Sequence, residues 1–168
     1  MSRDRPDLAR SANRVMLGAL AIALLTSVHH AYGAQIYGTP WRLHAALVSV
    51  LATAVAFVAL RVLRKRPNDA AGQIAAWVFT ADTLVIHVGG FGVFEGGYNH
   101  VLKDLLYFGG ASPELIRLLF PPPTYELPDD AFFEITGVLQ VVPAALAGYY
   151  LYRFVQQRWL ASAPNLAG

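Results

Sequence analysis

The chain contains no cysteine. That absence removes disulfides, thiolate metal sites and cysteine nucleophiles together. It is also poor in charge: Asp, Glu, Lys and Arg make up 14% of its 168 residues, where a water-facing domain carries about a quarter. With 55% apolar residues, it lacks the polar shell of a soluble domain, and a membrane-embedded one is expected. Motifs are missing too. There is no internal repeat, low-complexity tract or separate soluble domain. The glycines Gly89, Gly90, Gly92, Gly96 and Gly97 invite a nucleotide-loop reading, but no strand precedes them, the GxGxxG spacing fails and no Lys-Ser/Thr follows. Helix loosening and close backbone approach around Glu95 are their expected uses. Ser27, Ser49 and Ser112 lack an elbow motif, so serine hydrolase chemistry is unsupported.

Four stretches reach the roughly 20 apolar residues that a membrane-crossing helix needs: about 15–33, 44–63, 74–94 and 131–152. The expected fold is all-α: an antiparallel four-transmembrane-helix bundle forming one domain over residues 1–160, with 161–168 a flexible tail. Small residues allow close helix contact, among them Gly18, Ala45, Ala75, Gly137, Ala144 and Gly148. Orientation follows from the basic residues. Arg3, Arg5, Arg10, Arg14, Arg61, Arg64, Lys65, Arg66, Arg153 and Arg158 fall on one side of a four-span topology, against Arg42, Lys103 and Arg117 on the other. Both termini are expected in the cytoplasm, with the chain multi-pass in a cell membrane. Heavy Arg and Ala usage points to a bacterial inner membrane. The net charge of +2 does not argue for nucleic acid, because the basic residues sit at span ends. The expected partners are the lipid bilayer and another membrane protein or a second copy. A secretory signal peptide cut near Ala31-Tyr32-Gly33-Ala34 is the rival reading of the first span. His29 and His30 are poor signal-peptide residues, and the uncleaved span is preferred.

The connection 95–130 is too long for an idle turn and reads as a two-helix cap on the outer side. Val101, Leu102, Leu105, Leu106 and Phe108 have helical spacing in Tyr98 to Phe108. Gly109 and Gly110 stop that segment. Ser112, Pro113 and Glu114 supply an N-cap, a first-turn proline and an acidic first turn for a second helix through Leu119, which Pro121, Pro122 and Pro123 end.

All five histidines fall toward the outer side of this topology. His29 and His30 close the first span, His44 opens the second, His87 lies about two turns below the end of the third, and His100 is in the cap. Glu95, Asp104, Asp129, Asp130 and Glu134 join them, with Asp82 deeper. Ionisable groups at membrane depth face the bundle interior and find partners, and imidazole with carboxylate suits Zn, Fe, Mn or Cu. The metal candidates are His30, His44, His87, His100 and Glu95, with His29, Asp104 and Glu134 behind them. His100 and Asp104 stand at i,i+4, a chelating spacing. Asp82 and Glu134 are the carboxylates a catalytic step would draw on. Thr26 beside His30 and Thr83 beside His87 are placed to orient a ring.

Plainer readings stand beside these. A lone intramembrane histidine is more often a hydrogen-bonded packing residue than a ligand. Adjacent His29 and His30 point about 100° apart, so one at most should face inward. Asp129 and Asp130 read as a solvated turn, and Glu95 or Asp104 as neutralising Lys103 or Arg117. Three functions compete: a metal-dependent membrane oxidoreductase or hydrolase, a non-catalytic accessory, assembly or transport subunit, and an electron-transfer subunit with b-type haem between two of His30, His44 and His87.

Overall fold

The computed structural model describes residues 4–160; the tail expected at 161–168 lies outside them. Among the described residues there is no strand. Four helices are long and apolar enough to cross a membrane. They are α1 (Asp4–Ile36), α2 (Leu43–Lys65), α3 (Ala70–Phe108) and the last, α5 (Ala131–Trp159), with a short α4 (Pro113–Leu119) between. Each long helix overlaps one of the four expected stretches.

The bundle is antiparallel. α1 lies between α2 and α5, and α3 closes the ring against α2 and α5. Gly18 of α1 faces Ala147 of α5 and Gly33 faces Phe133, so the two run in opposite directions. Gly92 and Gly96 of α3 face Ala144 and Val141 in the same sense. The interior divides along its length. At one end Val15, Ala19, Leu60, Ala76, Phe79 and Phe154 form an apolar core. Toward the other end many of the fully buried side chains are polar, among them Thr26, His29, Ser49, Thr83, His87 and Gln140. Outward faces carry Leu17, Leu24, Leu51, Val58, Ile74, Val85 and Leu146. Large apolar groups outside and polar groups inside invert the arrangement of a water-soluble domain, and match lipid as the surrounding solvent.

The third helix differs from its expectation. Tyr98 to Phe108 is no separate cap helix; α3 runs unbroken from Ala70 to Phe108. Its glycines do not end it. They loosen it into an i→i+5 hydrogen-bonded turn over Thr83–Leu102, a wider coil that elsewhere occurs mostly as single-turn bulges. The helix continues because α5 packs against its glycine face. It stops at Gly110, whose φ of 81° is open to glycine and costly for other residues. The second short helix forms as the residues suggest. Ser112 accepts from Leu115 N and Pro113 takes the first turn. Ile116 and Phe120 bury against the bundle, and Tyr98 donates to Leu119 O at 2.9 Å.

The regular pattern of α5 is interrupted at Gln140, whose N–H bonds Gly137 O at 3.1 Å. Three residues on, Pro143 has no N–H to offer the carbonyl of Leu139. The Gln140 side chain is fully buried and accepts from Thr26 Oγ1 at 2.7 Å.

A β-carbon at Gly92 would overlap that of Ala144, which cannot rotate away. Gly92→Leu should force α3 and α5 apart and destabilise by about 1–3 kcal/mol. At Gly97 a β-carbon meets only Gly92 O at 3.7 Å, so Gly97→Ala should unfold at the wild-type temperature or slightly above. Thermal unfolding of the detergent-purified variants checks both.

Candidate metal centre

α1 brings His29 and His30 to the polar end of the bundle, α3 brings Glu95, Asn99, His100 and Lys103, and α5 brings Glu134 and Thr136. The wide turn of α3 makes this possible. In an α-helix, residues five apart are rotated by about 140°, and Glu95 and His100 would diverge. Where hydrogen bonds run i→i+5, that spacing closes one turn, and Glu95 Oε1 stands 3.8 Å from His100 Nε2. Asn99 shares the face and donates to Glu95 Oε2 at 2.6 Å.

Three imidazoles gather around one carboxylate oxygen. Glu95 Oε1 lies 3.3 Å from His30 Nε2 and 3.5 Å from His29 Nε2, with His100 beyond. His29 Nε2 and His100 Nε2 are 3.1 Å apart. A triangle with sides of 3.1, 3.5 and 3.8 Å has a point about 2.0 Å from all three corners, the length of a zinc–imidazole or zinc–carboxylate bond. His29, Glu95 and His100 are the group whose ligand atoms all lie within 4.8 Å of one another, close enough to hold a metal ion.

The far side of each ring fixes which nitrogen is bare. His29 Nδ1 is 3.1 Å from Phe133 O and from Thr136 Oγ1. A carbonyl only accepts, and the threonine hydroxyl is itself spent on Phe132 O and Phe133 O, so Nδ1 carries the proton. His100 Nδ1 is 2.6 Å from Glu134 Oε2. Lys103 Nζ donates to Glu134 Oε1 at 2.9 Å and to Glu126 O at 2.9 Å. Glu134 is thus an ionised acceptor, and His100 Nδ1 donates to it. In the neutral form of each ring, Nε2 then presents its lone pair toward the other and toward Glu95. A shared proton or a metal cation relieves that arrangement, and imidazoles anchored at Nδ1 by carbonyl or carboxylate are the usual form of metal-binding histidine.

His29 and His30 correct the expectation that only one faces inward. His29 is 0% and His30 7% exposed, their rings meet edge to face at 5.0 Å, and both reach Glu95 from a position where α1 is enclosed by its neighbours. Neither ring nitrogen of His30 has a hydrogen-bond partner among the described residues. His44 is exposed, with Nδ1 against Trp41 O, and lies outside the three-residue group. His87 is deeper: Nε2 meets Thr53 Oγ1 at 3.0 Å and Nδ1 is 3.5 Å from Asp82 Oδ2. Asp104 does not join His100; it lines a separate pocket with Glu134, because the wide turn sends i,i+4 and i,i+5 neighbours to other places than an α-helix does. Among the described residues no Lys or Arg pairs with Glu95, and Arg117 pairs with Glu114 instead. Asp129 and Asp130 are more than a solvated turn. Tyr37 donates to Asp129 at 2.8 Å, Tyr32 to Asp130 at 3.0 Å, and Asp130 caps α5 at Phe133 N.

Lys103, Asn99, Thr136 and Thr53 were not singled out from sequence. A lysine inside the apolar run Val101 to Phe108, three residues after His100, was the available signal for the first. Beside the centre lies a cavity of about 330 Å³ bordered by His30, Arg42, Phe91, Glu95, Asn99 and His100. Comparison with protein-family models, with curated proteins and with solved structures finds no match.

Lys103 is 2% exposed and Glu134 7%. Glu134→Gln should cost about 3–5 kcal/mol by leaving a buried ammonium without its partner, and adding Lys103→Met should recover most of that. Denaturant titrations of the single and double variants in detergent measure the coupling; strictly additive losses would contradict it.

Proposed function

We propose that this chain is a multi-pass cell-membrane protein that holds one transition-metal ion between His29, Glu95 and His100 and uses it as a metal-dependent oxidoreductase or hydrolase. The observation that carries the reading is the convergence of two lone-pair Nε2 atoms and a carboxylate oxygen at coordination distance, each ring held from behind by an acceptor. Two imidazoles and one carboxylate leave coordination positions free. That set serves zinc hydrolysis and non-haem iron chemistry alike, so the identity of the metal decides the reaction class. When bound, the ion would polarise a substrate oxygen or lower the pKa of a bound water. His30, buried with both ring nitrogens uncommitted beside Glu95, is placed to take or return a proton there.

Haem fits these residues poorly. His87 is engaged by Thr53 and Asp82 away from the cavity. The rings that converge, His29 and His100, stand nitrogen to nitrogen at 3.1 Å, which leaves no room for a macrocycle between two axial ligands.

In this reading the polar end is extracytoplasmic and both termini are cytoplasmic, on the strength of the basic-residue asymmetry. The inner membrane of a bacterium is the proposed location. The segment 109–130 would cover the site from outside.

Elemental analysis with an optical spectrum on one detergent-purified sample tests the function. Stoichiometric zinc, iron, manganese or copper is expected, lost in His100→Ala and His29→Ala and kept in His44→Ala. Protein free of metal after metal-replete expression, or one whose metal survives His100→Ala, would defeat the proposal; metal-free protein that retains another membrane protein points to an accessory subunit. Topology has its own check in this cysteine-free chain. Thr124→Cys should react with a membrane-impermeant thiol reagent on intact cells, and Asn68→Cys only after permeabilisation.

A further inference from the structure

The cavity beside the candidate metal centre is built asymmetrically. Its floor is buried and polar, with His30, Asn99, His100 and Lys103, whereas its exposed rim carries Trp41, His44, Phe94 and Thr124. α2 packs densely along the first part of α3, Ala70–Asp82, and more sparsely along Thr83–Leu102, where Thr53 still meets His87. The two helices thus form a shallow wedge that leads to the cavity, which Ala45 borders on one side and Gly90 and Phe91 on the other. A β-carbon at Gly90 would meet only Val85 O, at 3.5 Å, so that position faces open space. The wedge lies between two helices of membrane-crossing length, where the adjoining solvent is lipid.

Among the described residues, three polar atoms of the floor make no hydrogen bond: His30 Nδ1, Asn99 Oδ1 and His30 Nε2, the last 3.3 Å from Glu95 Oε1. Buried polar atoms are nearly always hydrogen-bonded, so these await a bound group. The cations nearby are already committed. Arg42 Nη2 is 3.2 Å from Glu126 Oε1 and Lys103 Nζ 2.9 Å from Glu134 Oε1. An anionic head, such as phosphate or carboxylate, would have to compete with those carboxylates and approach Glu95. A neutral hydroxyl can donate to the Asn99 amide oxygen and accept from an N–H of the His30 ring. The volume of about 330 Å³ is at the low end of small-molecule sites, about 300–1,000 Å³, enough for a head group and the first part of a chain, the remainder staying in the bilayer.

We propose that this cavity takes a bilayer-dissolved amphiphile with a neutral hydroxyl head, admitted sideways between α2 and α3. Placement of the head at a metal rests on the function proposed above; the route rests on the cavity alone. That separation shapes the experiment. Trp41 stands on the rim, and the other tryptophans, Trp77 and Trp159, stack on each other away from it. With Trp77→Phe and Trp159→Phe in place, emission reports on the cavity whether or not metal is bound. In phosphatidylcholine nanodiscs, 11-bromoundecanol should quench Trp41 saturably, while 1-bromoundecane quenches only in proportion to its bilayer concentration. Gly90→Leu should weaken the saturable component by about tenfold or more, and Ala45→Leu on the facing wall provides the same check should the first variant fold poorly. Saturable quenching that persists after chelation and in His100→Ala supports the route independently of the metal. Cobalt-loaded protein whose visible absorption shifts on adding 11-bromoundecanol supports the head at the metal. The inference is overturned if bromoundecane matches the alcohol, if neither wall substitution weakens it, or if water-soluble 2-bromoethanol saturates the site equally well, which would place access at Thr124 on the aqueous side.

Discussion

Everything at the polar end of this bundle answers to one carboxylate. Glu95 lies on a helix long and apolar enough to cross a membrane, where an ionised group is tolerated only with partners, and neither nearby cation serves it. Lys103 is held by Glu134 and Glu126 O, and Arg42 by Glu126 and Thr39. What remains around it is the Asn99 amide and three imidazoles from two helices. Imidazoles can meet a carboxylate as proton carriers or across a metal ion. The tautomers imposed by Phe133 O and Glu134 turn the lone pairs of two rings inward, toward the arrangement that suits an ion.

Holding that arrangement takes the rest of the fold. α5 supplies both acceptors behind the rings, Phe133 O one turn before Gly137, and its glycine leaves room for the His100 ring, which a β-carbon at 137 would overlap. Tyr32 and Tyr37 on the α1 side tie to Asp130 and Asp129 at the start of α5, so the helices that carry ring and acceptor are linked just beyond the site. One turn below His29, Thr26 meets Gln140 where the regular pattern of α5 is interrupted. The apolar core at the far end supplies packing without polar obligations. Stability and chemistry are thus segregated along the bundle.

The architecture was legible because hydrophobic length is a one-dimensional property. Four apolar stretches and one capped turn at Ser112 to Glu114 can be read without any knowledge of contacts, and the structure contains four long helices and that short one. The gathering of histidines and acids toward one end was also legible, since position along a span is set by sequence number. Which of them meet was not. His44 looked equivalent to His30 by depth, yet it opens α2 on an exposed face, whereas His29 was ranked low because two adjacent residues cannot share an α-helical face. That inference assumed a helix with one buried side. α1 is enclosed by neighbours on several sides, so both rings find the interior.

The deeper miss was the period of α3. Thr83 with His87 and His100 with Asp104 were paired on the assumption of 3.6 residues per turn. The glycine-rich stretch instead adopts the wider turn, which brings together pairs five apart, Asp82 with His87 and Glu95 with His100, beside the Glu95–Asn99 pair four apart. The same spacing serves two ends. At His87 the Nε2 meets Thr53, whose hydroxyl is spent on Ser49 O, so that nitrogen carries the proton and Nδ1 faces Asp82 alone. At His100 the proton is drawn to Nδ1 by Glu134, and Nε2 faces both Glu95 and the ring of His29. A carboxylate and a histidine five apart in a glycine-rich span can therefore be a packing link or half of a metal centre. Whether a second imidazole joins them decides which, and it comes from another helix, beyond the reach of any reading along a single one.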